Sequence, residues 1–140
     1  MVGRDCILDT GPLVALLSRE DAWHAAVTVA AEEVLPRCIT TEAVAVEACH
    51  IVRRYGGEPA QVLEFLLSAA IPMFAVHQPM HEQCIHLLHR YRSVPMDYAD
   101  ATIVALADRL GLSRVFTLDR RGFRAYRGVR GNTMELIALN

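Results

Sequence analysis

A chain of 140 residues, 53% of them apolar and 21% charged, is too greasy for a disordered tail and long enough to bury roughly 70% of its unfolded surface without disulfides or structural metal. Its net charge of −2 excludes a blanket attraction to nucleic acid, and no run reaches the ~18 uninterrupted apolar residues of a membrane helix, because Glu64 and Pro72 cut the longest candidate, Val62 to Val76. Arg4 and Asp5 precede the first strand where a secretory leader would be apolar, and Cys6, Cys38, Cys49 and Cys84 show no CxxC spacing, so buried, reduced thiols in a cytoplasmic protein are expected.

The chain opens with a strand over Cys6 to Leu8, closed by Asp9. Gly11 and Pro12 then start a helix to Arg19, with Leu13, Leu16 and Leu17 as its apolar stripe. Asp21 is placed to cap a second helix, Ala22 to Glu33, into which Trp23 packs. Arg37 to Thr40 reads as strand two. Thr40 or Thr41 caps a helix from Glu42 to Arg54 that stops at Gly56-Gly57. Pro59 begins a helix through Ala69, Pro72 to His77 forms strand three, and Met80 to Arg92 is helical. Asp97-Tyr98-Ala99-Asp100 has the spacing of a capping box, with aspartate in place of the usual glutamate, and the helix it starts runs to Leu110 before Gly111. Strand four covers Val115 to Leu118 and a last strand Met134 to Leu139. Strands alternating with helices call for one domain, residues 1–140, with a mostly parallel sheet covered on both faces.

Two acids close apolar runs in nearly the same words: Ile7-Leu8-Asp9-Thr10 and Phe116-Thr117-Leu118-Asp119. Open parallel sheets build their sites at that carboxyl edge. Capping alone accounts for one such acid but not for a matched pair. Asp100 begins a helix so apolar that it must pack on the sheet, which sets its carboxylate at the edge of the core. Glu47 flanks the stripe of Val44, Ala48, Ile51 and Val52, between core and solvent. Asp97 is simplest as an N-cap and Glu42 as a first-turn acid. Thr10 and Thr117 supply hydroxyls beside the strand-end acids. Carboxylates gathered in one place repel one another and lose hydration, and a divalent cation offsets both costs.

All fourteen basic residues are arginine. Six fall between positions 114 and 130, namely Arg114, Arg120, Arg121, Arg124, Arg127 and Arg130, against the single acid Asp119. Beside that acid, Arg120, Arg121 and Arg124 read as phosphate contacts. The histidines carry less. His81 and His86 are five apart rather than the four of a metalloprotease helix, and His86 with His89 fits a polar helix surface.

Taken together, the strings Ile7-Leu8-Asp9-Thr10-Gly11-Pro12, Glu47-Ala48-Cys49, Pro95-Met96-Asp97-Tyr98-Ala99-Asp100-Ala101 and Phe116-Thr117-Leu118-Asp119-Arg120-Arg121-Gly122-Phe123 resemble those of a PIN domain, nearest to the small bacterial VapC-type toxins. The match covers essentially the whole chain, and the joint order is specific where each part alone is weak. The resemblance implies a three-layer α/β/α fold. It also implies an acidic quartet of Asp9, Glu47, Asp100 and Asp119 holding one or two Mg²⁺ or Mn²⁺ ions, with Thr10, Thr117 and Asp97 as lesser candidates, and metal-dependent cleavage of RNA. It further implies a VapB-like antitoxin partner and a homodimer. The rival expectation is a non-catalytic PIN-fold scaffold or RNA-binding protein whose acids only buttress the fold; a single-metal DNA nuclease is a third. Phosphatase and receiver chemistry is disfavoured, because Gly11 stands where a phosphatase has a second aspartate and the chain has no lysine.

Overall fold

The computed structural model describes residues 3–139. Cys6–Leu8 forms β1, with all three side chains fully buried. Burial on both faces is what a central parallel strand requires, and it explains the continuous apolar run. The helices α1 (Thr10–Leu17) and α2 (His24–Val34) follow, then a 3-10 turn, Leu35–Arg37, and β2 (Cys38–Thr41). Next come α3 (Glu42–Arg54), α4 (Ala60–Ser68), β3 (Met73–Phe74), α5 (Gln78–Arg90) and α6 (Tyr98–Leu110). The chain closes with β4 (Arg114–Phe116), α7 (Arg120–Ala125) and β5 (Glu135–Leu136).

The strands lie in the order β3-β2-β1-β4-β5 and every pair is parallel. Cys6 stands opposite Cys38 on one side and Arg114 on the other. Helices complete an α/β/α arrangement, in which α1 packs on α2, α3 and α4 while α5 lies along α6. Ten successive residues of α6, Ala99 to Asp108, are buried. A helix apolar all round is a core helix, and burying Ile103 or Leu106 contributes roughly 1.5–3 kcal/mol each. Gly111 ends it at φ 69°, a left-handed conformation glycine adopts without steric cost. No helix of the described residues is long and apolar enough to cross a membrane.

The first strand is as expected and the second is shifted by one residue, to Cys38–Thr41, but the other three are shorter than the sequence predicts. Strand four stops at Phe116, because the Thr117 hydroxyl turns to take the Asp119 N–H at 2.9 Å. Strand three pairs only at Met73 and Phe74, and the last strand only at Glu135 and Leu136. Four helix starts also differ, α4 by a single residue, at Ala60 rather than Pro59. α1 begins at Thr10 because Asp9 itself is the cap, which leaves Pro12 in the first turn, where its missing N–H needs no partner. α5 begins at Gln78 rather than Met80, which places Pro79 in its first turn. Asp21 holds the Trp23 N–H at 2.8 Å, yet α2 starts only at His24. Trp23 is therefore 48% exposed rather than packed inside. Thr41, not Thr40, caps α3. The short α7 was not expected from the sequence. The four cysteines are free, with Cys49 half-buried and the others buried.

Candidate active site

In the strand order, β1 and β4 are neighbours from which the chain proceeds to opposite sides of the sheet. The crevice beyond their carboxyl ends is where open α/β sheets place a ligand. Asp9 follows β1, and its own N–H donates to the Phe116 carbonyl at the end of β4, 2.9 Å away. Its carboxylate is 94% buried by the fold, at 6% exposure, and both oxygens are held. Oδ1 accepts the Thr10 N–H at 2.8 Å, and Oδ2 accepts the Thr117 hydroxyl at 2.6 Å. Since Thr117 Oγ1 in turn accepts the Asp119 N–H, one hydroxyl links the two strand-end acids. Asp119 caps α7 through Gly122 N–H to Oδ1, 3.0 Å, while its side chain stays exposed.

Across the crevice, Asp97 and Asp100 form a complete capping box. The Asp100 N–H donates to Asp97 Oδ1 at 2.8 Å, and the Asp97 N–H donates to Asp100 Oδ2 at 3.1 Å. Two threonines fix α6 against α3. Thr102 donates to the Ala99 carbonyl at 2.7 Å, so its hydroxyl accepts from Thr41 at 2.9 Å, and Thr41 Oγ1 also accepts the Val44 N–H that begins α3. That bridge sets the position of Glu47, half-buried on α3, relative to the acids of α6. Sequence reasoning passed over Thr41 and Thr102 as a pair, since nothing in a linear string shows two hydroxyls meeting across helices.

The acids act on one another. Burial pushes Asp9 up to about 6, against hydrogen bonds from Thr117 and Thr10 that oppose the rise and with the charges of Asp97 and Asp119 adding to it. Burial likewise raises Glu47 to about 7, helped by the charges of Asp97 and Asp9. Asp100 rises to about 8, again from burial first, with the Asp97 N–H opposing and the Asp97 and Asp9 charges adding. So Asp97, expected to be a cap, is a cap, and it also presses on Glu47. The quartet and Asp97 share one electrostatic neighbourhood.

The arginine stripe does not survive as a unit. Arg114 sits at the amino edge of the sheet, where it and Arg37 grip Asp5, Arg37 at 2.9 Å through Nε and Arg114 at 3.3 Å. Arg127 turns back onto the Arg124 and Tyr126 carbonyls, and Arg120 donates to the Ile137 carbonyl at 3.1 Å. Arg121 and Arg124, on the α7 that Asp119 caps, are exposed. Sequence reasoning missed Tyr126. It is fully buried, and its hydroxyl donates to Asp100 Oδ2 at 3.3 Å.

The residues suit a hard cation by chemistry. Their donors are carboxylate and hydroxyl oxygens, three of the acids are held above the ordinary carboxylate range, and the buried Thr10 hydroxyl, which lies toward Glu47, has no well-formed hydrogen bond. In the rotamers present, no three His, Cys, Asp or Glu side chains among the described residues close on a single point. The capping contacts of Asp100 and Asp119 turn one oxygen of each toward backbone amides.

A parallel sheet with buried carboxylates at its switch point defines a carboxylate-site α/β protein. Within that class the PIN domain profile matches residues 6–129, and the chain belongs to the PIN domain family. It is 29% identical over 133 residues to ribonuclease VapC26 of Mycobacterium tuberculosis, covering 94% of this chain and 98% of that protein. In fold it is similar to VapC20 of M. tuberculosis, described as a sarcin-ricin loop cleaving toxin, with TM-score 0.78 and 20% identity over 89% of this chain and 98% of the other. It is also similar to a chain of a toxin–antitoxin complex from Klebsiella pneumoniae, with TM-score 0.66 and 21% identity over 92% and 96% of the two chains.

Proposed function

We propose that this protein is a divalent-metal-dependent endoribonuclease, acting in the cytoplasm as the toxin of a toxin–antitoxin pair, with an antitoxin partner and a homodimeric state like those the family resemblance implies. The observation that carries the reading is Glu47. Asp9, Asp97, Asp100 and Asp119 each cap a helix, which a purely structural role would explain. Glu47 caps nothing, yet it is held half-buried in mid-helix against other acids. A cation held beside Glu47 would offset that repulsion, which no capping duty repays.

Asp9 and Asp100 would hold the principal Mg²⁺ or Mn²⁺, while Glu47 and Asp119 complete its shell or recruit a second ion; Thr10 and Asp97 support from the side. Such an ion, when bound, lowers the pKa of a coordinated water and neutralises charge on a phosphodiester. The chain's own part is positional. Thr117 fixes the rotamer of Asp9 through its hydroxyl. The Thr41–Thr102 bridge holds Glu47 at a set depth from Asp100. Arg121 and Arg124, with what remains free of Arg120, offer cationic contacts to the RNA backbone beside Asp119.

The test is cleavage of an end-labelled single-stranded RNA, and of DNA of the same sequence, in Mn²⁺ and in EDTA, by wild type and by Glu47→Gln. Mn²⁺-dependent cutting of RNA that Glu47→Gln loses supports the reading. Equal cutting of DNA would reassign the substrate. A wild type that cuts neither and gains no thermal stability from Mn²⁺ would leave the scaffold alternative.

A further inference from the structure

We infer that Tyr126 is a positioning residue that orients Asp100 for the cation, an assignment that rests on the nuclease reading above. Three observations carry it. First, the hydroxyl sits at the end of a fully buried ring flanked by two aromatics, Tyr91 at 5.2 Å and Phe123 at 5.1 Å between centroids, both edge-on. Edge-on packing on two sides leaves the ring little freedom, so the direction of its O–H is set by the core. Tyr91 is itself pinned, because its hydroxyl oxygen accepts the Arg127 N–H at 2.8 Å.

Second, the hydroxyl and the Asp97 N–H donate to the same oxygen of Asp100, Oδ2, at 3.3 and 3.1 Å. Oδ1 of Asp100 is left with no hydrogen bond from the described residues. Asp9 differs, since both of its oxygens already carry a protein donor. Two donors on one oxygen fix the carboxylate plane and present the other oxygen to the crevice. Hydrogen bonds to the outer oxygen of a ligating carboxylate are a known means of setting ligand orientation.

Third, the chain makes room for this contact. A Cβ at Gly122 would lie 2.9 Å from the Tyr126 hydroxyl and closer still to Asp119 Oδ2. Gly122 is buried within α7 and has no left-handed φ to justify it, so its lack of a side chain is a matter of space. A glycine in the only helix between Asp119 and Tyr126 lets the hydroxyl and the carboxylate of Asp119 approach the same crevice.

The test uses Tyr126→Phe, which keeps the ring and deletes only the donor. Thermal melts in EDTA and across an Mn²⁺ titration give affinity without reference to activity; cleavage of single-stranded RNA gives the Mn²⁺ requirement and the KM for RNA. The expected result is Mn²⁺ affinity weakened about tenfold to a hundredfold, with the half-maximal Mn²⁺ for cleavage rising in step and the KM for RNA unchanged. Gly122→Ala, made in an Asp119→Asn background so that its effect no longer runs through that carboxylate, should weaken Mn²⁺ as well by crowding the Tyr126 hydroxyl, and it decides the matter if Tyr126→Phe does not fold. If Tyr126→Phe titrates like wild type, Tyr126 is only a core residue; if Gly122→Ala alone is impaired, the glycine serves Asp119 instead. Wild type with no response to Mn²⁺ in either assay overturns the nuclease reading and the Tyr126 role together, which sets that failure apart from the loss of Tyr126's role alone.

Discussion

Asp9→Asn should stabilise the metal-free protein while ending its response to metal. Asp9 is raised from an ordinary 3.8 to about 6, so at pH 8 its charge opposes folding by about 3 kcal/mol, at about 1.4 kcal/mol per pH unit. Asparagine removes the charge but has one carbonyl oxygen where the carboxylate used two. It therefore keeps one of the contacts from the Thr10 N–H and the Thr117 hydroxyl and strains the other, at a cost of about 1–2 kcal/mol. The net gain is about 1–2 kcal/mol at pH 8, or roughly 3–8 °C in Tm for a chain of this length. The sign with pH follows from the raised value. The folded state holds the Asp9 proton more tightly, so the contribution of Asp9 to stability is full below about pH 4, is lost as pH climbs through 6, and is level beyond. Melts in EDTA at pH 5 and pH 8 should show the advantage of Asp9→Asn at pH 8 shrinking or reversing at pH 5. With Mn²⁺ at about 100 times its Kd, wild type should gain about 2.7 kcal/mol and the variant much less. An Asp9→Asn protein less stable than wild type at pH 8 in EDTA would refute the premise that burial, with the neighbouring charges, makes the ionised Asp9 carboxylate oppose folding.

Thr117→Val deletes a buried hydroxyl that serves both strand-end acids, donating to Asp9 and accepting from the Asp119 N–H. It should cost about 1–3 kcal/mol in a denaturant melt, with Thr117→Ser close to wild type. Gly128→Ala should destabilise by about 1–3 kcal/mol, because the added Cβ would stand 2.9 Å from Cγ of Asp108, whose buried Oδ2 holds the Val129 N–H at 3.0 Å; a thermal melt unchanged from wild type would show the turn can yield. Replacing Arg121 and Arg124 together by alanine should weaken binding of single-stranded RNA regardless of sequence. It should also flatten the plot of log K against log salt by about 1.4, a value near zero showing that neither side chain meets phosphate.

The acids were legible because their duties leave local marks. Asp9 and Asp119 close apolar runs, and Asp97 with Asp100 carries the spacing of a reciprocal cap, which is realised in full. The parallel sheet was legible for a similar reason, since β1 and β4 are buried on both faces and so read as unbroken apolar runs. What failed were inferences from nearness in the chain. Arg114 lies five residues before Asp119, yet a strand separates them, and a strand carries its two ends to opposite edges of the sheet. Trp23 was expected to pack within the second helix, but α2 starts one residue past it and leaves it on the surface. Tyr126 left almost no local mark. Its contact with Asp100 depends on where the residue that ends α7 meets the start of α6, and the one trace of it in the string is a glycine where a helix would prefer almost anything else.

The grip of Arg37 and Arg114 on Asp5 gives the two rims of the sheet opposite characters. Asp5 leads into β1, Arg37 into β2, and Arg114 opens β4, so a single anion fastens the three central strands where they begin. Those same strands lead, four to ten residues on, to Asp9, Glu47 and Asp119, with the charge of Asp9 raising Glu47 and that of Asp119 raising Asp9. The sheet is thus hinged shut at its base and sprung at its top. Loosening on ion withdrawal should then start at the crevice and stop short of the amino rim, so amide protons of Thr10 and Asp119 would exchange well before those of the clasped strand starts.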